Sequence, residues 1–288
     1  NSSPDYFVEN GLSLNAIFTL AARENRGATL EFEGAQGVDG TGEIFLSREL
    51  LDPGRSTFNA VTLDGRLGVA ETLVFGGEIT LAGDGRIDAR DEGDTIQILG
   101  AVRGGAANAA GEIGGALTIT DLDNDGAALT VDASQGAVRL GGRNADAVLN
   151  AAGPDAGVIT FEDRAILDNL TFNMDAELIG FNSNPLIFAQ NGLTLNADLT
   201  LAAAQNRSAT FEFAGEQTFD GTGTIRMTAE ASPLGGSFQN TFRFDGRLSA
   251  SETLTIGEGV TVTGIGGVTV NEAEDSIRVS KRMLQLKD

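Results

Sequence analysis

Residues 10–83 align with residues 191–264 without a gap, and 37 of the 74 positions are identical. NGLSLN at 10–15 meets NGLTLN at 191–196, and Asn25-Arg26 meets Asn206-Arg207. Asp39-Gly40-Thr41-Gly42 meets Asp220-Gly221-Thr222-Gly223, and Asp64-Gly65-Arg66-Leu67 meets Asp245-Gly246-Arg247-Leu248. The offset of 181 reaches back to Asn1, Ser2 and Pro4, which equal Asn182, Ser183 and Pro185, and forward to Asp94 and Ile96, which equal Asp275 and Ile277. Few folds accept a gapless duplication of this length; repeat architectures do, because each unit meets its neighbours in the same way. The chain reads as one continuous solenoid: 1–107 is a partial copy matching 182–288, and 108–181 are intervening coils. Both ends fall inside the unit, which suggests a window from a longer array.

A finer period lies within the repeat. Turn-like starts at Asp168-Asn169-Leu170, Asn191-Gly192, Asp220-Gly221 and Asp245-Gly246 are spaced by 23, 29 and 25 residues. Between them run short alternating segments such as LTLNADLTL (193–201) and TFRFDG (241–246). Period-two alternation bounded by Gly, Asn and Asp marks β-strands with one buried face. Propeller blades are longer than these spacings, and a sandwich gives no reason for the duplication. One coil per turn interval predicts an all-β fold, a right-handed parallel β-helix (β-solenoid) with coils of about 23–29 residues stacked at about 4.8 Å. The only helical expectations are a short turn near Ser47–Leu51 and the tail after Ser280.

The strings NGLTLNADLTL, ATFEFAGEQTFDGTGTI and SETLTIGEGVTVTG resemble the β-strand repeats of large secreted bacterial surface proteins. These include right-handed β-helical adhesins, autotransporter-type passengers, and sheath or biofilm-matrix proteins. The resemblance covers the two matching segments and is weaker over 108–181. It implies an architecture and an extracellular, cell-surface setting. That group shares no catalytic motif, so function has to come from sites.

Composition removes several chemistries. With no His and no Cys there is no zinc finger, thiol nucleophile or Ser-His-Asp triad. Forty-one acidic residues against 19 basic ones give a net charge of −22, which disfavours binding to a phosphate backbone, so no nucleic-acid partner is expected. No apolar run approaches the roughly 20 residues of a membrane span, so no membrane insertion is expected. The first residues, Asn1 to Asp5, carry no secretion-signal pattern.

The sharpest local signal is DLDNDGAALTVD, residues 121–132. Asp121, Asp123, Asp125 and Asp132 occupy the spacing of oxygen ligands in an EF-hand-like loop, with Gly126 at the sharp turn, and name calcium as the candidate cofactor. The alternative is a plain β-turn at Asn124-Asp125-Gly126. A second acidic cluster, Asp88, Asp91, Glu92 and Asp94 with Arg86 and Arg90, reads as a solvated turn. Phe32, Phe45, Phe58, Phe75, Phe211, Phe213, Phe242 and Phe244 read as core, and Gly111–Gly115 and Gly264–Gly267 as tight turns. Arg26, Arg207, Arg66 and Arg247 recur at equivalent places, suited to pairing with acidic residues of neighbouring coils.

Three functions compete. A structural block of an extracellular fibre, sheath or surface layer would stack end to end, with itself or with further repeats of the same array. The basic island Arg278, Lys281, Arg282 and Lys287 would then meet an acidic coil of the next unit. An adhesin stalk would recognise surface glycans through the least similar loops, 47–56 and 228–237. A polysaccharide lyase or hydrolase of β-helical type would need an acid–base cluster; the hydrolase signatures are absent, and a non-enzyme is expected.

Overall fold

The computed structural model describes all residues except 1–3, 22–25, 48–58, 65–68, 106–114, 181–183, 205–206, 229–238, 246–250 and 281–288. Both helical expectations, apart from Ser47 and Ser280 themselves, lie outside the described residues, as does nearly all of the two divergent loops. Among the described residues every regular element is a strand. The chain forms two compact units, Asn1–Leu140 with Ala147–Val158, and Gly141–Asp146 with Ile159–Asp288.

The first unit winds through coils of two or three short strands. The first coil holds β1 (Asp5–Val8), β2 (Leu12–Ser13) and β3 (Ile17–Ala21), and the next β4 (Thr29–Glu33), β5 (Gln36–Asp39) and β6 (Glu43–Ser47). Then come β7 (Asn59–Asp64), β8 (Thr72–Phe75) and β9 (Thr80–Gly83), followed by β10 (Gly85–Ala89), β11 (Thr95–Ile98) and β12 (Ala101–Gly104). Strands β13 (Leu117–Thr120), β14 (Ala128–Asp132), β15 (Val138–Gly141) and β17 (Val148–Ala151) complete it; β16 (Arg143–Ala145) belongs to the second unit. Strand β4 bonds in parallel to β1 and β7, β5 to β2 and β8, and β6 to β3 and β9. This stacking makes three parallel sheets, β1-β4-β7-β10-β13-β15, β2-β5-β8-β11 and β3-β6-β9-β12-β14-β17. The unit is a parallel β-helix.

In the second unit β18 (Ile159–Phe161), β20 (Ala176–Gly180), β22 (Asp198–Ala203), β25 (Thr224–Thr228) and β28 (Thr261–Gly264) form one parallel sheet. A second runs through β16, β19 (Ile166–Asn173), β21 (Leu186–Leu195), β23 (Thr210–Ala214), β26 (Asn240–Asp245) and β29 (Gly266–Val270). The far halves of β19 and β21 continue into β24 (Gln217–Gly221), β27 (Thr253–Ile256) and β30 (Ser276–Val279). The duplication is reproduced strand for strand. Adding 181 to the bounds of β4, β6, β7, β8, β9, β10 and β11 returns those of β23, β25, β26, β27, β28, β29 and β30.

Alternation does what it must in a coil closed on itself. Leu30 and Phe32, Ile44 and Leu46, Val61 and Leu63, and Leu73 and Phe75 all point inward and are buried. Each contributes about 1.5–3 kcal/mol through burial. In the second unit the core is aromatic: Phe213 lies 5.1 Å from Phe219 and 5.0 Å from Phe242, and Phe211 meets Phe242 edge-on at 6.2 Å. Six of the eight phenylalanines expected in the core are fully buried. Phe45 differs: it sits between inward Ile44 and Leu46, so strand parity turns it outward, and it is only half-buried. Phe58 lies outside the described residues.

Candidate functional site

Two kinds of site are built on this scaffold: polar brackets that tie coil to coil, and the edges of the outermost coils. The brackets begin with an asparagine that faces inward. Asn59 is fully buried; its Oδ1 accepts the Ala28 N–H at 2.9 Å, and its Nδ2 donates to the Leu20 and Ser47 carbonyls at 3.0 and 2.7 Å. Asn240 repeats this with Ala209, Leu201 and Thr228. At the next corner the Gln36 side chain takes the Gly11 N–H and donates to the carbonyls of Val8 and Glu33. Gln217 does the same with Gly192, Ala189 and Ala214. Sequence reading missed all four residues. The signal available was identity between the copies at positions whose apolar neighbours differ: Val61 faces Phe242 in the alignment, while Asn59 faces Asn240.

Charged side chains bridge coils on the outside. Arg90 reaches Glu31 at 2.8 Å and Asp64 at 3.3 Å, Arg103 reaches Glu43 at 2.9 Å, and Arg226 reaches Asp198 at 2.9 Å. Arg243 pairs with the buried Glu212. Of the arginines expected to pair, Arg26 is half-buried, the Arg207 backbone N–H closes a turn onto the Ala204 carbonyl, and Arg66 and Arg247 lie outside the described residues. The densest node is Asp168, a buried carboxylate that accepts from Arg143 Nη2 at 2.6 Å, Gln190 Nε2 at 3.0 Å and Asn191 Nδ2 at 2.7 Å. Burial raises its pKa, but the donations from Asn191, Gln190 and Arg143 outweigh it and hold the carboxyl below the ordinary aspartate value. Burial pushes Glu31 the other way, above the ordinary glutamate value, against the opposing pull of Arg90.

The candidate calcium segment folds as a corner with a hydrogen-bonded turn. Asn124 turns inward, fully buried, and brackets the Ile98 N–H and carbonyl at 2.7 and 2.8 Å, while the Ala127 N–H returns to the Asn124 carbonyl at 2.8 Å. Asp121 and Asp125 take positive φ, and Asp123 Oδ1 accepts the Asp125 N–H at 3.2 Å. Extended β14 then carries Asp132 roughly 13 Å along from Ala128. There Asp132 Oδ1 accepts the Ser134 N–H at 3.0 Å and its hydroxyl at 2.5 Å. Among the described residues no group of three or more His, Cys, Asp or Glu side chains converges in a way that could hold a metal ion.

The second acidic cluster is divided among separate partners. Asp88 accepts the Thr62 hydroxyl at 3.1 Å, while Asp94 Oδ1 caps the Glu71 N–H at 2.8 Å. Asp275 repeats the latter contact on Glu252 at 3.0 Å. Of the expected assembly residues, exposed Arg278 lies on β30 beside Thr255, and Lys281, Arg282 and Lys287 lie outside the described residues.

The outermost coils expose residues that alternation turns inward. Tyr6 of β1 pairs in register with buried Leu30, yet it is 50% exposed; Ile187, its counterpart 181 residues on, is 0% exposed. Val268 of β29 pairs with buried Phe242 and is 43% exposed, whereas its counterpart Ile87 is 0% exposed. The difference is a neighbour: Ile187 lies in β21, which is flanked by β19, and Ile87 lies in β10, which is flanked by β13. Comparison with protein families, curated proteins and solved structures returns no match to this chain.

Proposed function

We propose that this chain is a structural building block of a bacterial extracellular fibre, sheath or surface layer, assembled by stacking β-helical coils edge to edge. One observation carries the reading: parallel strands stack coil on coil in register and the 181-residue duplication is reproduced strand for strand, so one kind of unit can be added to another repeatedly. An unpaired parallel edge also leaves a row of backbone donors and acceptors unsatisfied, so a further coil gains hydrogen bonds as well as apolar burial. The acidic, cysteine-free composition supports an exposed setting outside the cell. Arg278, with Lys281, Arg282 and Lys287, supplies basic charge toward an acidic coil of the next unit.

Sedimentation and negative-stain microscopy of the purified chain, in millimolar calcium and again in chelator, test the reading. Filaments with a regular axial repeat are expected. Filaments in both conditions keep the stacking and remove calcium from it; filaments in calcium alone bring in the Asp121–Asp132 segment. A monomer under both conditions refutes the proposal. Substituting Arg278, Lys281, Arg282 and Lys287 by Glu is expected to weaken association, and unchanged assembly would remove them from the interface.

A further inference from the structure

We infer that Asn191-Gly192 is a modification site, a deamidation-prone pair that the coils on either side hold shut. The inference is independent of how chains assemble. Glycine after asparagine leaves the next backbone nitrogen unhindered, so that nitrogen can reach the asparagine side chain. In the reaction the Gly192 nitrogen bonds to Asn191 Cγ and gives up its proton, and Nδ2 leaves as ammonia. Water then opens the resulting five-membered imide at one carbonyl or the other, leaving aspartate or isoaspartate in place of Asn191. The chain carries the pair twice, at Asn10-Gly11 and at Asn191-Gly192, in equivalent places of the repeat.

The fold sets the two reacting groups against this chemistry. Pairing of β19 with β21 jumps from Asp168 on Gln190 to Leu170 on Leu193, so Asn191 and Gly192 together oppose Asn169 in a bulge. Both take positive φ, 58° and 107°. Asn191 Nδ2 donates to Asp168 Oδ1 at 2.7 Å, on the coil before, while the Gly192 N–H donates to Gln217 Oε1 at 3.2 Å, on the coil after. Electrophile and nucleophile are thereby drawn in opposite directions. Neither holder is loose. Asp168 is 5% exposed and fixed by Arg143 and Gln190, and Gln217 is 8% exposed and fixed to the Ala189 and Ala214 carbonyls. Gln36 accepts the Gly11 N–H in the same way, at 2.7 Å. Conversion of Asn191 would take a donor from Asp168 and set a second carboxylate beside it, and isoaspartate would add a main-chain atom within β21. Both changes weaken the joint between these coils.

Peptide mapping by mass spectrometry, after incubation of the full chain at mildly alkaline pH, tests the inference. Reaction requires local opening, so Asn191 is expected to deamidate roughly tenfold or more slowly in the folded chain than in the same chain unfolded in urea. Gln217→Leu removes the acceptor of the Gly192 N–H at similar size. It is expected to speed deamidation at Asn191 about fivefold, the equivalent of one net hydrogen bond of about 1 kcal/mol, and to leave Asn10 unchanged. Gln36→Leu should do the reverse. The variants are compared under conditions in which circular dichroism shows them folded, and the crossed sites separate local release from general loosening. Equal rates at Asn191 in the folded and unfolded chain overturn the inference, and that comparison needs no substitution. A folded Gln217→Leu chain that reacts no faster at Asn191, or that speeds both sites alike, overturns it as well.

Discussion

At the scale of single residues, stability concentrates on side chains that replace missing backbone partners. Asn59 occupies the first position of β7 and satisfies three backbone groups on two earlier coils. Truncating it strands those groups in the interior, where each unsatisfied one costs about 1–3 kcal/mol. Asn59→Ala and Asn240→Ala are each expected to lower stability by about 3 kcal/mol, read as a fall in urea midpoint at unchanged slope. Asp168 gives a pH signature. Its folded pKa is depressed, so its contribution is complete above the ordinary aspartate pKa and is lost as pH falls through the lower folded value. Asp168→Asn is therefore expected to cost about 1–3 kcal/mol at pH 7 and clearly less near pH 3; an equal cost at both values would remove the carboxylate from the account. Glu31, with a raised pKa, works with the opposite sign. These brackets were half-legible. Identity across the copies is a signal that could have marked Asn59, Asn240, Gln36 and Gln217 as constrained, but alternation alone cannot say that a polar residue at a strand end points inward. The Asp121–Asp132 spacing fits a metal loop and a coil corner alike, and Asn124, between the candidate ligands, is the residue the fold uses.

Elements in this fold are short because the chain must turn at every corner, and the corners are where conformation is most restricted. Gly221 has φ +115°, and a Cβ there would overlap the Leu195 carbonyl of the preceding coil; Gly40 stands in the same relation to Leu14. Gly215 also has positive φ, +78°, but has open space around it. Alanine at Gly221 must displace backbone as well as adopt a disfavoured conformation, whereas at Gly215 only the conformational cost applies, about 1–2 kcal/mol. Thermal melts of the two variants are expected to separate them, with Gly221→Ala melting at the lower temperature. The period-two runs made the strands readable, since a strand with one buried face has no other pattern available. Their corners were less readable. Asn169 and Asn191 look like turn starts, yet both are left-handed residues that bend β19 and β21 without ending them, and the pairing shifts between Asp168 and Leu170. Nor does a local pattern say which strand lies on which. The 181-residue offset supplies the correspondence between copies, and hydrogen bonding across coils supplies the rest.

For the molecule as a whole, a fold built by stacking ties each strand's stability to the number of neighbours it has among the described residues. Strands flanked on both sides share their hydrogen bonds and burial with two neighbours. Strands β1 and β29 have one neighbour each in their sheets. Local opening costs least where contacts are fewest, so amide exchange should report that grading. In dilute solution the amides of β1 and β29 are expected to exchange at least tenfold faster than those of their equivalents, the first half of β21 and β10. The comparison is internal, because each pair shares its place in the repeat and differs chiefly in being covered. Raising the protein concentration into the assembling range should slow exchange in β1 and β29 together and leave β21 and β10 unchanged. Protection gained at β1 alone would point to like edges meeting, and protection gained at neither would mean that assembly, where it occurs, uses the outer faces of the coils.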